Sequence, residues 1–125
     1  MRSIFYVGAG SFIGGIFRYL LVTWTSQILS PSFPYGTLAV NVLGSLVIGF
    51  LAGIAESRAT FSTEVRLFLI VGIVGGFTTF SAFAWETFSL PQKTVGALNI
   101  ALQLILGLLA VWIGHLLAYA TNRFI

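Results

Sequence analysis

Four long apolar runs, at about residues 4–28, 36–55, 65–88 and 95–120, alternate with three short polar stretches. Each run reaches the roughly 20 mostly apolar residues that cross a bilayer as a helix. The separators carry helix-ending chemistry: Ser30-Pro31-Ser32-Phe33-Pro34, the charged loop from Glu56 to Glu64, and Ser89-Leu90-Pro91-Gln92-Lys93. Ser62 or Thr63 is placed to cap the third helix, with Glu64 in its first turn. The pattern predicts an all-α membrane protein with four transmembrane helices. Arg18 interrupts the first run and no small-x-small cleavage site follows it, so the first run is expected to be an uncleaved span.

The polar positions inside the runs carry the functional signal. In span 2, Thr37, Asn41, Ser45, Gly49 and Gly53 recur every four residues and draw one slowly drifting stripe on a helix. Small residues in such a stripe serve close helix packing, with Asn41 as hydrogen-bond glue. An amide part-way up the stripe equally suits the wall of a pore. In span 3, Gly75-Gly76 lowers helix propensity at one point, and Thr78 and Thr79 follow with hydroxyls that compete for backbone groups. An interruption is expected there. Unwound backbone at membrane depth persists only where it is buried in protein or lines a wet cavity, and broken helices of this kind build ion sites. Phe80 and Phe83 share one face of any helix that resumes beyond the interruption. Any one of the twelve phenylalanines, taken alone, reads as a lipid-facing or core ring. Position directly after the interruption, interleaved with Thr79 and Ser81, sets these two apart.

Other intramembrane polar residues keep two readings each. Arg18 either faces a wet cavity or a partner, or snorkels to the interface beside Tyr19 and Trp24. Glu86 is the only carboxylate placed to enter the membrane, and beside Trp85 it reads first as interfacial. Asn99 and Gln103, four apart in span 4, either line a path or tie helices together. Gly10 and Gly14, and Ser11 and Gly15, mark close helix approach in span 1.

Composition narrows the class. Charged residues make up 7% of the chain, against about a quarter in soluble domains, so the membrane reading holds for the whole length. Four spans and short loops fill the given length, so residues 1–125 are expected to form a single four-span membrane domain with no separate soluble domain. Six Lys and Arg are too sparse for a nucleic-acid footprint. The chain has no cysteine and one histidine, His115, and no paired carboxylates in the membrane, which leaves neither a metal cluster nor an enzyme site. Arg2, Arg58, Arg66 and Arg123 lie on one predicted side, Arg18 and Lys93 toward the other; that bias is weak.

Three segments carry a resemblance: Gly14-Gly15-Ile16-Phe17-Arg18-Tyr19, Gly36-Thr37-Leu38-Ala39-Val40-Asn41-Val42-Leu43-Gly44-Ser45, and Gly75-Gly76-Phe77-Thr78-Thr79-Phe80-Ser81-Ala82-Phe83. With the length and four-span layout they resemble the Fluc/CrcB family of small fluoride channels. The resemblance implies a passive, fluoride-selective channel that exports cytoplasmic fluoride across a bacterial inner membrane. It implies dual topology, with protomers inserted in both orientations and paired as an antiparallel homodimer around two pores. It assigns Phe80, Phe83, Asn41 and Ser81, with Thr79 beside them, to the fluoride pore. The carbonyls of Gly75 and Thr78 would hold a structural Na+ shared by the two protomers, and Arg18, Thr37 and Glu86 are candidates for a polar vestibule.

The chemistry suits that expectation. Fluoride is small and strongly hydrated, and amide and hydroxyl donors replace its water. Aromatic edges carry the positive part of the ring quadrupole. Conduction needs sites that release as well as capture, which favours weak donors over a full charge. The alternative class is a proton- or sodium-coupled small multidrug exporter. It calls for an ionisable residue deep in a span, and spans 1, 2 and 4 contain no Asp or Glu.

Overall fold

Prolines and serines stop the helices where the polar stretches predict. In the computed structural model, which describes residues 1–58 and 61–123, the chain is all-helical. Helix α1 (Arg2–Ile28) and α2 (Tyr35–Arg58) are followed by α3 (Thr63–Arg66), a π-helical stretch (Leu67–Val74), α4 (Gly75–Phe77), α5 (Phe80–Ser89) and α6 (Lys93–Arg123). Four segments are long and apolar enough to cross a membrane: Arg2–Ile28, Tyr35–Glu56, Thr63–Ser89 and Lys93–Thr121. They match the four runs read from the sequence. Ser62 caps the third, its Oγ accepting the Val65 N–H at 3.3 Å, with Glu64 in the first turn. The tip of that loop, residues 59–60, lies outside the described residues.

Packing follows the small residues. α2 lies chiefly against α6, and α1 against the π-helical stretch and α4. Lipid is as apolar as leucine, so helices in a membrane associate through close contact and polar ties. The buried residues fit that rule: Val40, Ala55, Val74, Ala110 and Ala118, with Thr25, Thr37 and Asn99. Large side chains such as Phe12, Leu108 and Trp112 point outward. At Gly14 a Cβ would run into the Ile73 carbonyl oxygen, and at Gly114 into that of Leu46. Only glycine admits backbones this close.

The third span departs from the expected geometry at two places. A π-helical stretch was not legible in the sequence; it closes with the Gly75 N–H reaching the Ile70 carbonyl five residues back. Such stretches are rare and concentrate at functional sites. Gly75-Gly76, where an interruption is expected, is helical, and two extended residues stand three positions further on. Gly75 is helical, with φ −63° and ψ −36°. Thr78 (φ −76°, ψ 157°) and Thr79 (φ −151°, ψ 116°) are extended. Gly76 is needed for contact rather than for flexibility, since a Cβ there would meet the Ser11 backbone at 2.7 Å. The threonines make the interruption. Thr78 Oγ1 bonds back to the Val74 carbonyl at 3.1 Å, and Thr79 Oγ1 caps α5 by accepting the Ala82 N–H at 3.2 Å.

Candidate functional site

Asn41, about two turns into α2, holds the extended pair. Its Oδ1 accepts the Thr79 N–H at 2.8 Å, and its Nδ2 donates to the Thr79 carbonyl at 3.0 Å. The second Nδ2 hydrogen goes to Gln103 Oε1, on α6, at 3.1 Å. One amide therefore serves Thr79 as a neighbouring strand would, and both of its hydrogens are engaged within the protomer.

This arrangement releases the carbonyls of Gly75, Gly76, Phe77 and Thr78 from helical bonding, and the fate of the donors to the first and the last is visible. In a continuous helix the Thr79 N–H would bond the Gly75 carbonyl, and the Ala82 N–H that of Thr78. The first is diverted to Asn41 and the second to Thr79 Oγ1. The Thr78 carbonyl is met instead by Arg18, whose Nη1 donates to it at 3.3 Å. Arg18 is half-buried, so of its two readings the structure favours the inward one.

Two cavities meet at Thr79. One, of about 370 Å³, is lined by Asn41, Ser45, Thr78, Thr79, Phe80, Phe83 and Gln103. The Phe80 and Phe83 rings meet edge to face there, with centroids 5.5 Å apart and planes at 63°. The other, of about 590 Å³, is lined by Arg18, Tyr19, Thr37, Thr79, Ser81 and Glu86. The three vestibule candidates thus share one cavity. Ser81 opens onto this side rather than onto the phenylalanine side, with its Oγ 3.4 Å from Thr79 Oγ1. Glu86 is more than interfacial: half-buried, it accepts a hydrogen bond from the buried Thr37 hydroxyl at 2.8 Å, which ties α5 to α2.

Gln103 belongs to the site and was left undecided by the sequence. Its Oε1 is held by Asn41, while its Nε2 is buried with no partner among the described residues. Spacing of four from Asn99 placed both amides on one face of α6 but did not say what that face meets. Gly75 takes no part in either cavity lining. A Cβ on it would meet nothing nearer than the Ile70 carbonyl oxygen at 3.7 Å, so that side is open within the protomer.

Fold and site together define a four-span membrane protein with an amide-clamped, non-helical step between two polar cavities. The model of the family described as CrcB-like protein, Camphor Resistance (CrcB), matches residues 5–115, and the chain belongs to that family. Among its relatives is the fluoride-specific ion channel FluC of Agrobacterium fabrum, 44% identical over 118 residues that cover 94% of this chain and 93% of the relative. The fluoride-specific ion channel FluC of Rhizobium meliloti is 44% identical over 117 residues, covering 91% and 94% respectively. That of Clostridium novyi is 44% identical over 114 residues, 89% of each chain.

Proposed function

We propose that this chain is a fluoride-selective channel that lets cytoplasmic fluoride leave a bacterial cell passively across its inner membrane, without catalysis. The observation that carries the reading is the cavity of about 370 Å³ that brings Phe80 and Phe83, an edge-to-face pair, together with Asn41, Ser45, Thr79 and Gln103. An anion stripped of water needs such donors, and none of the groups around this cavity is a full cation that would trap it. Because Asn41 spends both amide hydrogens inside the protomer, it holds Thr79 and Gln103 in place beside the rings. Ser81 and Thr79 offer hydroxyls on the other side of the step, where Arg18 raises the local anion concentration without standing among the rings. The direct test is fluoride-electrode efflux from liposomes that contain only this protein. Efflux at the rate of empty liposomes rejects the proposal.

The working unit in this reading is an antiparallel homodimer of dual topology. Phe80 is 78% exposed in the single protomer, and a pore wall needs a second surface over it. Large apolar side chains on every span leave ample area for that partner. Ser3 and Ser89 are exposed and separated by three spans. With no native cysteine to interfere, Ser3→Cys and Ser89→Cys, labelled separately from outside intact cells, should each react to about half. Complete labelling at one position and none at the other rejects dual topology.

A structural Na+ fits the third span, broken in this reading at Thr78 and Thr79. The Gly75 and Thr78 carbonyls are among the four, from Gly75 to Thr78, that lose their helical donors at this step; Gly75 is open on its Cβ side within the protomer, and the Thr78 carbonyl would have to serve the ion beside its bond from Arg18. Carbonyl oxygens are the donor type such a hard cation takes, and its charge would bias the interior toward anions. The expected result is a lower melting temperature of the dimer when bath sodium is replaced by potassium. Thr78→Ala should keep that difference, since the backbone is the ligand, and Gly75→Val should erase it. Equal melting of the parental protein in the two salts rejects the site.

A further inference from the structure

Helix α5 carries both pore rings, yet it contains no fully buried residue. It also begins directly after two extended residues, so its rotation is not inherited from α4. Asn41 holds its first end through Thr79, and Thr37 holds Glu86 from the α2 side. A separate polar chain ties it to α6. Asn99 is wholly buried, at 0% exposure, and its Nδ2 donates to Thr87 Oγ1 at 2.7 Å. The amide nitrogen only donates, so the hydroxyl is the acceptor there. Its single hydrogen then goes to the Phe83 carbonyl, at 2.7 Å. Gly96 makes the tie short: it is buried, and a Cβ on it would meet the Thr87 carbonyl oxygen at 3.4 Å. Asn99 Oδ1 is buried with no partner among the described residues. An amide with half its capacity unmet is a poor packing choice, so its donor half is what the position uses.

We infer that Asn99 is a positioning residue for the Phe83 ring, acting through Thr87 and never touching the ion. By holding the Thr87 hydroxyl from α6, it sets the rotation of α5, and the Thr87 bond to the Phe83 carbonyl one turn back carries that constraint to the Phe83 ring. This rests on the reading of Phe83 as a pore residue.

The test is fluoride flux against fluoride concentration in liposomes for Thr87→Val, Thr87→Ser and Asn99→Leu, with hydrogen exchange of α5 measured alongside. A loss of folded protein lowers maximal flux alone. A turned ring also shifts the half-saturating concentration. Thr87→Val and Asn99→Leu should raise that concentration on the order of tenfold, as the loss of about one hydrogen bond would. Thr87→Ser should stay within about twofold, and the double variant Thr87→Val/Asn99→Leu should be no worse than either single one. Exchange in α5 should quicken in the first two variants and not in Thr87→Ser. Unchanged half-saturation in Thr87→Val and Asn99→Leu overturns the inference, as does a Thr87→Ser as impaired as Thr87→Val. A parental protein that carries no fluoride sinks the channel reading instead. In that case α5 exchange alone decides the tie, and unaltered exchange in both variants overturns it.

Discussion

Replacing Phe83 by isoleucine should reduce fluoride flux on the order of a hundredfold while the dimer still forms and elutes normally, and Phe80→Ile should act in the same direction. Isoleucine keeps apolar bulk but has no ring edge, and the edge is the only polarised feature these side chains offer an anion. Phe83 should be the more sensitive of the two. It is half-buried and faces the same cavity as Gln103, whereas Phe80 is 78% exposed in the protomer and depends on what covers it. Phe77→Ile and Phe88→Ile separate this effect from general loss of aromatic surface. Phe77 lines an apolar groove with Phe17, Leu20, Leu21 and Trp24, and Phe88 is exposed near Trp85. Both should conduct within a few-fold of the parental protein. If Phe80→Ile and Phe83→Ile conduct at the parental rate, the ring edges do not handle the ion and the pore lies elsewhere.

The second large effect is expected at Asn41, where removal and charge should fail for different reasons. Asn41→Ala deprives the Thr79 N–H, the Thr79 carbonyl and Gln103 Oε1 of their partner at once. Each buried group left unmet costs about 1–3 kcal/mol, so the loss is a large part of a typical domain's stability of about 5–15 kcal/mol. Poor recovery of folded dimer is the expected result. Asn41→Asp keeps the shape and can still accept the Thr79 N–H, but it brings a carboxylate oxygen against two acceptors. Relief is available by turning the Gln103 amide so that Nε2 meets the new carboxylate, but the added negative charge on the cavity wall then repels an anion. The variant should fold better than Asn41→Ala and still conduct on the order of a hundredfold less than the parent. A well-folded Asn41→Ala that conducts normally would show that the clamp is dispensable.

The comparison of spans 2 and 3 shows which features of the chain were legible. The stripe of Thr37, Asn41, Ser45, Gly49 and Gly53 predicted a packing face or a polar path, and the structure gives its glycines close contacts and its polar residues hydrogen-bond partners. Gly49 lies on the backbone of Val111 and Gly53 against Ala118 and His115, while Thr37 and Asn41 hold α5 and Thr79. In span 3 the interruption was expected at Gly75-Gly76, which is helical, while Thr78 and Thr79, three residues on, are extended. Glycine lowers helix propensity wherever it stands, but Gly75 and Gly76 are held helical, and Gly76 is pinned there by contact with Ser11. The extended backbone arises where hydroxyls and a clamping amide offer its groups better partners.

What the sequence by itself determined was the sequence-local and compositional part: four spans, their limits, the Ser62 cap, and the family that the motifs around Gly14, Asn41 and Gly75 mark. Apolar length and turn chemistry act over a few residues and need no partner. What only the tertiary structure decided was where each polar group found its complement. Asn41 lies 62 residues from Gln103, Arg18 is 60 from Thr78, and Thr37 is 49 from Glu86. Among apolar spans polar partners are few, so each intramembrane donor or acceptor takes its role from whichever helix packs beside it. That neighbour is set by the glycine contacts between helices, which no local pattern of hydrophobic and polar residues records.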